Sequence, residues 1–174
     1  MMALLAATLA LASPTGERVF GNWTVRCDKA VRCQAVALRV AVPDKPTPVA
    51  ITRDPGPVGA VVITILSKAA RGRVSIRIDG KPVAPAILLE SGIRLDGAEA
   101  EGLARAIANG KRMEVRDYKG KHIVSISLAG ASGALRWIDV QQGRAGGLTA
   151  LVARGPKSAT LVPAAGALSK ARAP

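Results

Sequence analysis

The segment around Ser132 is where residue types and spacing come nearest to a catalytic motif. Residues 130–134 read Gly-Ala-Ser-Gly-Ala between a predicted strand and a predicted helix, and a serine at such a turn is the nucleophile of Gly-x-Ser-x-Gly hydrolases. The base would have to be His122, the single histidine of the chain. That histidine precedes the serine, whereas the hydrolase fold places it after the serine. We favour the alternative, in which Ser132 caps a helix and the small residues allow close packing.

Other catalytic or metal chemistry finds little support in the sequence. One histidine and two cysteines are too few for an ordinary zinc site that also leaves a disulfide intact. Neither a Walker A loop nor a Gly-x-Gly-x-x-Gly fingerprint is present, and no acidic cluster has the spacing of a calcium loop. Glu114 and Asp117 could act as paired carboxylates, but nothing distinguishes them from a solvated face. We therefore expect no metal and no cofactor, and an enzyme is the weaker hypothesis.

Basic residues offer a different kind of chemistry. The chain has 25 Lys and Arg against 12 Asp and Glu, a formal net charge of +13, and such an excess attracts polyanions. One basic group belongs to a predicted strand and its turn, and the other to a neighbouring predicted hairpin. If those strands lie side by side, their outward positions could form a stripe suited to phosphates or carboxylates; a solvated face without a ligand is the equal alternative. Aromatic stacking partners are nearly absent there, which argues against single-stranded nucleic acid. The first group is Arg71, Arg73, Arg77 and Lys81, and the second is Lys111, Arg112, Arg116, Lys119 and Lys121.

The beginning of the chain reads as an export signal. Residues 3–12 form an apolar run that ends in Ala-Leu-Ala, as signal peptides do before their cleavage site. The run is too short to span a bilayer, which needs about 20 apolar residues, although a buried first element is an alternative. We expect a signal peptide over residues 1–12, a periplasmic or secreted location, and no later transmembrane segment. The candidate partners there are an anionic envelope polymer, lipid head groups or an envelope protein.

Cys27 and Cys33 are the only cysteines. In an oxidising compartment, two cysteines six positions apart are well placed to pair across a hairpin. A redox-active dithiol is the alternative, but its usual spacing is Cys-x-x-Cys. We predict a structural disulfide worth about 2 kcal/mol in the chain-entropy account.

The elements that must position these residues are mostly strands. Residues 73–79 alternate between polar and apolar side chains, as a half-buried strand does, and residues 97–108 carry an apolar helical stripe with Asp96 and Glu99 as a capping box. These patterns predict an α+β fold: mostly antiparallel β-sheet, two helices inserted in the C-terminal half, and one N-terminal hairpin disulfide. We expect one domain over residues 13–155 and a flexible basic tail over 156–174. Strands are predicted at 18–27, 33–40, 49–52, 58–66 (buried on both faces), 73–79, within 87–95, at 111–117, 122–128 and 148–153, and helices at 97–108 and 131–142.

Two blocks of the sequence carry a family resemblance. Residues 20–28 read Phe-Gly-Asn-Trp-Thr-Val-Arg-Cys-Asp, and residues 134–146 contain Ala-Leu-Arg-Trp-Ile-Asp followed by Gln-Gly-Arg-Ala-Gly. Together they resemble a secreted bacterial family, the domain of unknown function 1176; the first block is also similar to the invasion-associated locus B proteins. The resemblance implies export and supports the disulfide, and the family has no established activity or catalytic residues. It draws attention to Trp137, Asp139, Gln142 and Arg144.

That second block has two interpretations. The polar residues at a helix end could form a recognition site, or Arg144 could meet the last carbonyls of the helix, which we favour. For the whole chain, the leading hypothesis is a non-enzymatic binding or accessory protein of the bacterial envelope that acts through its basic strands. The alternatives are a small serine hydrolase centred on Ser132 and a host-interaction factor.

Overall fold

The computed structural model describes residues 16–37, 49–67 and 71–170, without the side chains of 168–170. The predicted signal segment and the end of the strand predicted at 33–40 lie outside these residues. In chain order the strands are β1 (Arg18–Phe20), β2 (Trp23–Cys27), β3 (Cys33–Ala37), β4 (Val49–Arg53), β5 (Val61–Ile65), β6 (Gly72–Ile78), β7 (Lys81–Leu88), β8 (Ile93–Asp96), β9 (Arg112–Asp117) and β10 (His122–Ser127), and the α-helices are α1 (Gly97–Asn109), α2 (Ala131–Gln141) and α3 (Ala165–Lys170).

The strands form two antiparallel sheets. The six-stranded sheet has the order β1-β2-β3-β4-β5-β8, and the four-stranded sheet has the order β10-β9-β6-β7. The β6–β7 hairpin leaves the first sheet between β5 and β8, and β9 then pairs with β6. The predicted α+β fold is confirmed, and the strands that carry the two basic groups are neighbours in one sheet.

Strand alternation and the helical stripes supply one core. On β6, Val74, Ile76 and Ile78 are buried, and the stripe of α1 is buried as its spacing predicts. Helix α1 contacts strands of both sheets, while α2 packs on β1, β2, β3 and α1. With few aromatic rings available, alanines such as Ala104 and Ala134 let helices and sheets approach closely. No helix in the described part of the chain is long and apolar enough to cross a membrane.

The disulfide closes the β2–β3 hairpin. Cys27 and Cys33 lie directly opposite each other in the register, their Cα atoms are 4.0 Å apart, and their sulfurs are bonded. Both residues are buried in the core of the six-stranded sheet. The predicted pairing is confirmed.

Three strand predictions in the N-terminal half are corrected. The strand predicted at 18–27 is two strands, because Gly21 turns the chain with φ +51° and its missing side chain allows contact with the Ala129 carbonyl. The strand predicted at 58–66 is shorter, and its Val62 and Thr64 face is only half-buried. The strands predicted within 87–95 are the end of β7 and β8. Strand β7 begins earlier, at Lys81, despite its prolines, because it lies at the edge of its sheet, where a missing N–H is tolerated.

The C-terminal half also departs from prediction. No strand forms at 148–153, and the segment predicted as a flexible tail contains a 3₁₀ turn (Ala159–Leu161) and α3. Asp96 precedes α1 without a side-chain capping bond, so the capping box is wrong. The N-cap of α2 is Gly130, whereas the sequence predicted the cap at Ser132. Glycine is required at position 130 because a Cβ there would overlap the Phe20 carbonyl.

Candidate functional site

The arginines of β6 and β9 share the outer face of the four-stranded sheet. The pairing places Arg116 opposite Ser75 and Glu114 opposite Arg77. On the other side of β9, His122 lies opposite Arg116. The inward positions are filled by buried residues such as Val115 and Ile76, so the polar set faces away from the core.

Positive charge dominates this sheet. Residues 71–89 and 111–128 together contain nine Lys and Arg against three Asp and Glu, a balance of +6. Two of the three carboxylates bind backbone N–H groups: Asp79 accepts from Lys111 and Arg112, and Asp117 accepts from Lys119 and Lys121. We call the outer surface of β10, β9 and β6 with its hairpin turns the basic face.

Glu114 is the one carboxylate within the basic face itself. Its Oε2 accepts hydrogen bonds from Nε and Nη2 of Arg116, at 3.2 and 3.1 Å, and its Oε1 lies 3.9 Å from Nδ1 of His122. Glu114 therefore orients Arg116 instead of forming a carboxylate pair with Asp117, whose oxygen closes the following turn. Sequence reasoning did not place Glu114 and His122 in this site, although Arg112, Glu114 and Arg116 alternate along one strand face.

Several cations of the basic face have no partner among the described residues. Arg71 is paired with Glu90, Arg77 donates to the Gly80 carbonyl, and Lys119 lies 5.5 Å from the ring centre of Tyr118. The remaining side chains make no hydrogen bond or ion pair with the described residues: these are Arg73, Lys81, Lys111, Arg112 and Lys121. They are exposed, so an external anion can reach them.

The Ser132 motif does not assemble a hydrolase site. Ser132 lies in the first turn of α2, half-buried, and that helix packs on the six-stranded sheet and α1. His122 lies in the other sheet, and its side chain is beside Glu114. Within the described residues, no hydrogen bond joins Ser132 to a histidine or an acid. The glycines next to it serve packing, since a Cβ on Gly133 would meet the Phe20 ring at 2.8 Å.

Asp139 belongs to the second of the two blocks, residues 134–146, and is fully buried. Its carboxylate accepts three backbone hydrogen bonds from consecutive residues: Leu151 N–H at 2.8 Å, Val152 N–H at 2.8 Å and Ala153 N–H at 3.0 Å. These amides belong to the segment for which the sequence predicted a strand. The carboxylate therefore fixes the C-terminal loop to α2.

Gln142 and Arg144 are buried as well. Gln142 holds the β2–β3 turn and the end of β4, and Arg144 holds the loop after β4. The amide of Gln142 donates to the carbonyls of Val31, at 2.8 Å, and of Arg53, at 3.0 Å. The guanidinium of Arg144 donates to Oε1 of Gln142, at 3.2 Å, and to the Gly56 carbonyl. Arg144 thus meets carbonyls of a distant loop instead of the last carbonyls of its own helix, which corrects the sequence interpretation.

Arg53 completes this cluster from β4. Its Nη2 donates to the Thr149 carbonyl at 2.7 Å, and its Nη1 lies 3.9 Å from Oδ1 of Asp139. Burial, and next the nearby Arg144 cation, lower the pKa of Arg53 to about 10, while Asp139 opposes the shift. Burial also lowers the pKa of Arg144. Since these groups are enclosed and Trp137 packs against the core, the second block stabilises the fold and offers little surface for recognition.

A shallow polar cavity of about 480 Å³ lies beside the disulfide. Two of its charges are already used: Arg32 pairs with Asp54 at 2.9 Å, and Asp28 accepts the backbone N–H of Arg32. Among the residues described, no group of three or more His, Cys, Asp or Glu could hold a metal ion. The cavity is therefore a weaker candidate than the basic face. Its lining residues are Arg26, Cys27, Asp28, Arg32, Cys33, Gln34 and Thr52.

These features describe a small, disulfide-bonded α+β protein with a basic sheet face. The chain belongs to the family described as protein of unknown function (DUF1176), whose model matches residues 17–174 and so extends beyond the predicted domain end at 155. It is 30% identical to uncharacterized protein YpfG of Escherichia coli K12 over 185 aligned positions, which cover 97% of this chain and 50% of that protein. The chain thus spans about half the length of this curated relative.

A solved structure is also similar. The crystal structure of invasion associated protein B from Bartonella henselae matches with a TM-score of 0.49 and 17% identity, over 73% of this chain and 98% of the other.

Proposed function

We propose that this protein is an exported, non-enzymatic envelope protein that binds an anionic envelope component through its basic face. The observation that carries the proposal is the set of exposed, unpartnered cations on one sheet, with Arg73 and Arg112 on adjacent strands. Guanidinium groups bind phosphate and carboxylate oxygens through paired hydrogen bonds. Export is supported by the apolar run at residues 3–12 and by the disulfide, which persists in oxidising compartments.

The charge arrangement favours an extended anion over a small metabolite. The cations line two adjacent strands and their turns, and Arg73 and Arg77 are four residues apart on β6, which is about 13 Å along a strand. Metabolites are ordinarily bound in enclosed pockets, and the cavity described above is lined by residues beside the disulfide instead of residues of the basic face. A polymer or a lipid surface with repeated negative groups fits such a layout.

Binding of a soluble polyanion tests the proposal. The full chain is titrated with long-chain inorganic polyphosphate, and the charge reversals Arg73→Glu and Arg77→Glu are made together. Hydrogen bonds to charged groups are worth about 1.5–3 kcal/mol each, so the double variant should bind at least about a hundred-fold more weakly. Affinity of the wild-type chain should also fall steeply between about 0.1 M and about 1 M salt, because the screening length shrinks from about 10 Å to about 3 Å.

The matched control is Arg136→Glu, a charge reversal at an exposed position of α2. Combined with Arg26→Glu, which lies on the six-stranded sheet, it changes the net charge as much as the test variant does. An equal loss of affinity in both double variants would mean that net charge alone is responsible, and the assignment to the basic face would fail. Polyphosphate binding that does not depend on salt would contradict the proposal in the same way.

A further inference from the structure

Strand β7 gives the basic face an apolar border. The register places Ile87 opposite Arg73, Pro85 opposite Ser75 and Pro82 opposite Arg77. These side chains have no covering layer among the described residues: Ile87 is 63% exposed and Leu89, which continues the alternation, is 55% exposed. An exposed apolar column therefore runs beside a column of arginines.

In the strand register, the arginines next to this border are grouped around one small residue. Arg116 lies directly opposite Ser75, and Arg73 and Arg77 are two residues before and after Ser75 on β6. Directly opposite Cβ atoms are about 5 Å apart and diagonal neighbours about 7–8 Å. Three arginines thus lie around a short hydroxyl side chain. Arg73 has no described partner and Arg77 uses one N–H on the Gly80 carbonyl, so both have N–H groups available to an anion, whereas the charge of Arg116 is matched by Glu114.

We propose that this surface docks onto an anionic lipid bilayer. Arg73, together with the remaining N–H groups of Arg77, binds lipid phosphates, while Ile87 and Leu89 enter the head-group region. The inference rests on the proposed function and specifies its ligand as a lipid surface instead of a soluble polymer. A soluble polyanion would use the arginines alone, whereas an interfacial site combines cations with an adjoining apolar strip.

The prolines of β7 argue against a protein strand as the partner. β7 is an edge strand of the four-stranded sheet, and an edge strand can accept another strand through its free N–H and C=O groups. Pro82 and Pro85 remove two N–H groups from β7, and Val83 is an extra, bulged residue of β7 opposite the step from Ile76 to Arg77. Such an edge resists strand pairing, so the exposed apolar side chains are better explained by a lipid interface.

Vesicle binding tests the inference. The full chain is sedimented with vesicles of pure phosphatidylcholine and with vesicles of equal parts phosphatidylcholine and phosphatidylglycerol. We expect binding to the mixed vesicles and little to the neutral ones, and Arg73→Gln should weaken binding about five-fold, since one cation near an anionic surface is worth about 1 kcal/mol. Ile87→Ser should weaken vesicle binding about five- to ten-fold, because a partly buried isoleucine loses its transfer free energy.

Two comparisons separate this inference from the proposed function. Ile87→Ser should leave polyphosphate affinity unchanged. Val58→Ser, which alters a 95% exposed valine in the loop between β4 and β5, should leave vesicle binding unchanged. If Ile87→Ser binds vesicles as the wild type does while polyphosphate binding persists, the lipid inference is overturned and the anion-binding function stands. If the wild-type chain binds neither probe, both fail. Equal binding to neutral and mixed vesicles would also overturn the lipid inference.

Discussion

Asp139→Asn should destabilise this protein far more than the size of the change suggests. The carboxylate accepts N–H groups at both oxygens: one from Leu151 at Oδ1 and two, from Val152 and Ala153, at Oδ2. Asparagine has one acceptor oxygen, and its NH₂ group would face backbone donors at the other position. At least one buried N–H therefore loses its partner in either orientation of the amide.

The expected cost has two parts. A buried donor left without a partner costs about 1–3 kcal/mol. Removing one member of a buried ion pair costs about 3–5 kcal/mol, because the other charge is left uncompensated, and Arg53 is 1% exposed at 3.9 Å from this carboxylate. The two parts share the same atoms and do not add fully, so we expect a loss of about 3–5 kcal/mol. That is a large share of the about 5–15 kcal/mol that stabilises an ordinary domain.

Urea unfolding at neutral pH measures this loss. The matched control is Asp96→Asn, which changes an exposed aspartate that makes no capping bond, and it should alter the unfolding free energy by less than about 0.5 kcal/mol. Native-state hydrogen exchange adds a local readout, since the amides of residues 151–153 should exchange faster in Asp139→Asn. If Asp139→Asn costs no more than Asp96→Asn, the role assigned to this carboxylate is wrong.

Two further perturbations test the interior. Burial lowers the pKa of Arg53 to about 10, so above that pH the folded state binds fewer protons than the unfolded state. The free-energy cost of burying this cation is therefore present in full below about pH 10. It diminishes as the pH rises towards the ordinary arginine pKa. The unfolding free energy of wild type relative to Arg53→Met should therefore increase between about pH 9 and about pH 11.5, and a flat difference would contradict the assignment. Gly130→Ala should lower the unfolding free energy by about 2–5 kcal/mol, because a left-handed backbone costs about 1–2 kcal/mol and overpacking about 1–3 kcal/mol. The φ angle of Gly130 is +94°, and the new Cβ would overlap the Phe20 carbonyl. Gly120→Ala has φ +83° and open space, so a thermal melt should show only the conformational cost of about 1–2 kcal/mol, and equal losses for both variants would refute the packing explanation.

Local patterns predicted the elements that make the basic face. The alternation of β6 and the hairpin of β9 and β10 are visible in the sequence, because each strand buries one face and exposes the other. The pairing of β6 with β9 follows from no local signal, since helix α1 and β8 separate them along the chain. The strands predicted within 87–95 include only the end of β7, and residues 81–86 were missed. Pro82 and Pro85 are breakers in most strands and are tolerated here because β7 lies at a sheet edge.

The second block, residues 134–146, was harder to interpret because its polar residues Asp139, Gln142 and Arg144 are buried. Polar residues after a helix are typical of a solvent-exposed end, and nothing near Gln142 in the sequence reveals that its amide bonds to Val31, 111 positions away. Residues 148–153 have the composition of a strand, but three of their N–H groups donate to Asp139. Those amides are not available for backbone hydrogen bonds to a neighbouring strand. The side chain of Asp139 therefore fixes a loop where a strand was predicted.

The two polar clusters should respond to substitution in opposite ways, and this separates fold from function. Asp139 and Arg144 are enclosed, so an external ligand would reach them only after the loops they hold had opened. Arg73 is exposed and has no described partner, so it contributes little to stability and is available for an anion. A variant such as Arg73→Glu should therefore lose affinity with an unchanged unfolding transition, whereas Asp139→Asn should lose stability while its remaining folded fraction binds polyanion as before. If Arg73→Glu instead unfolded the protein, the basic face would be part of its structural framework and not its binding surface.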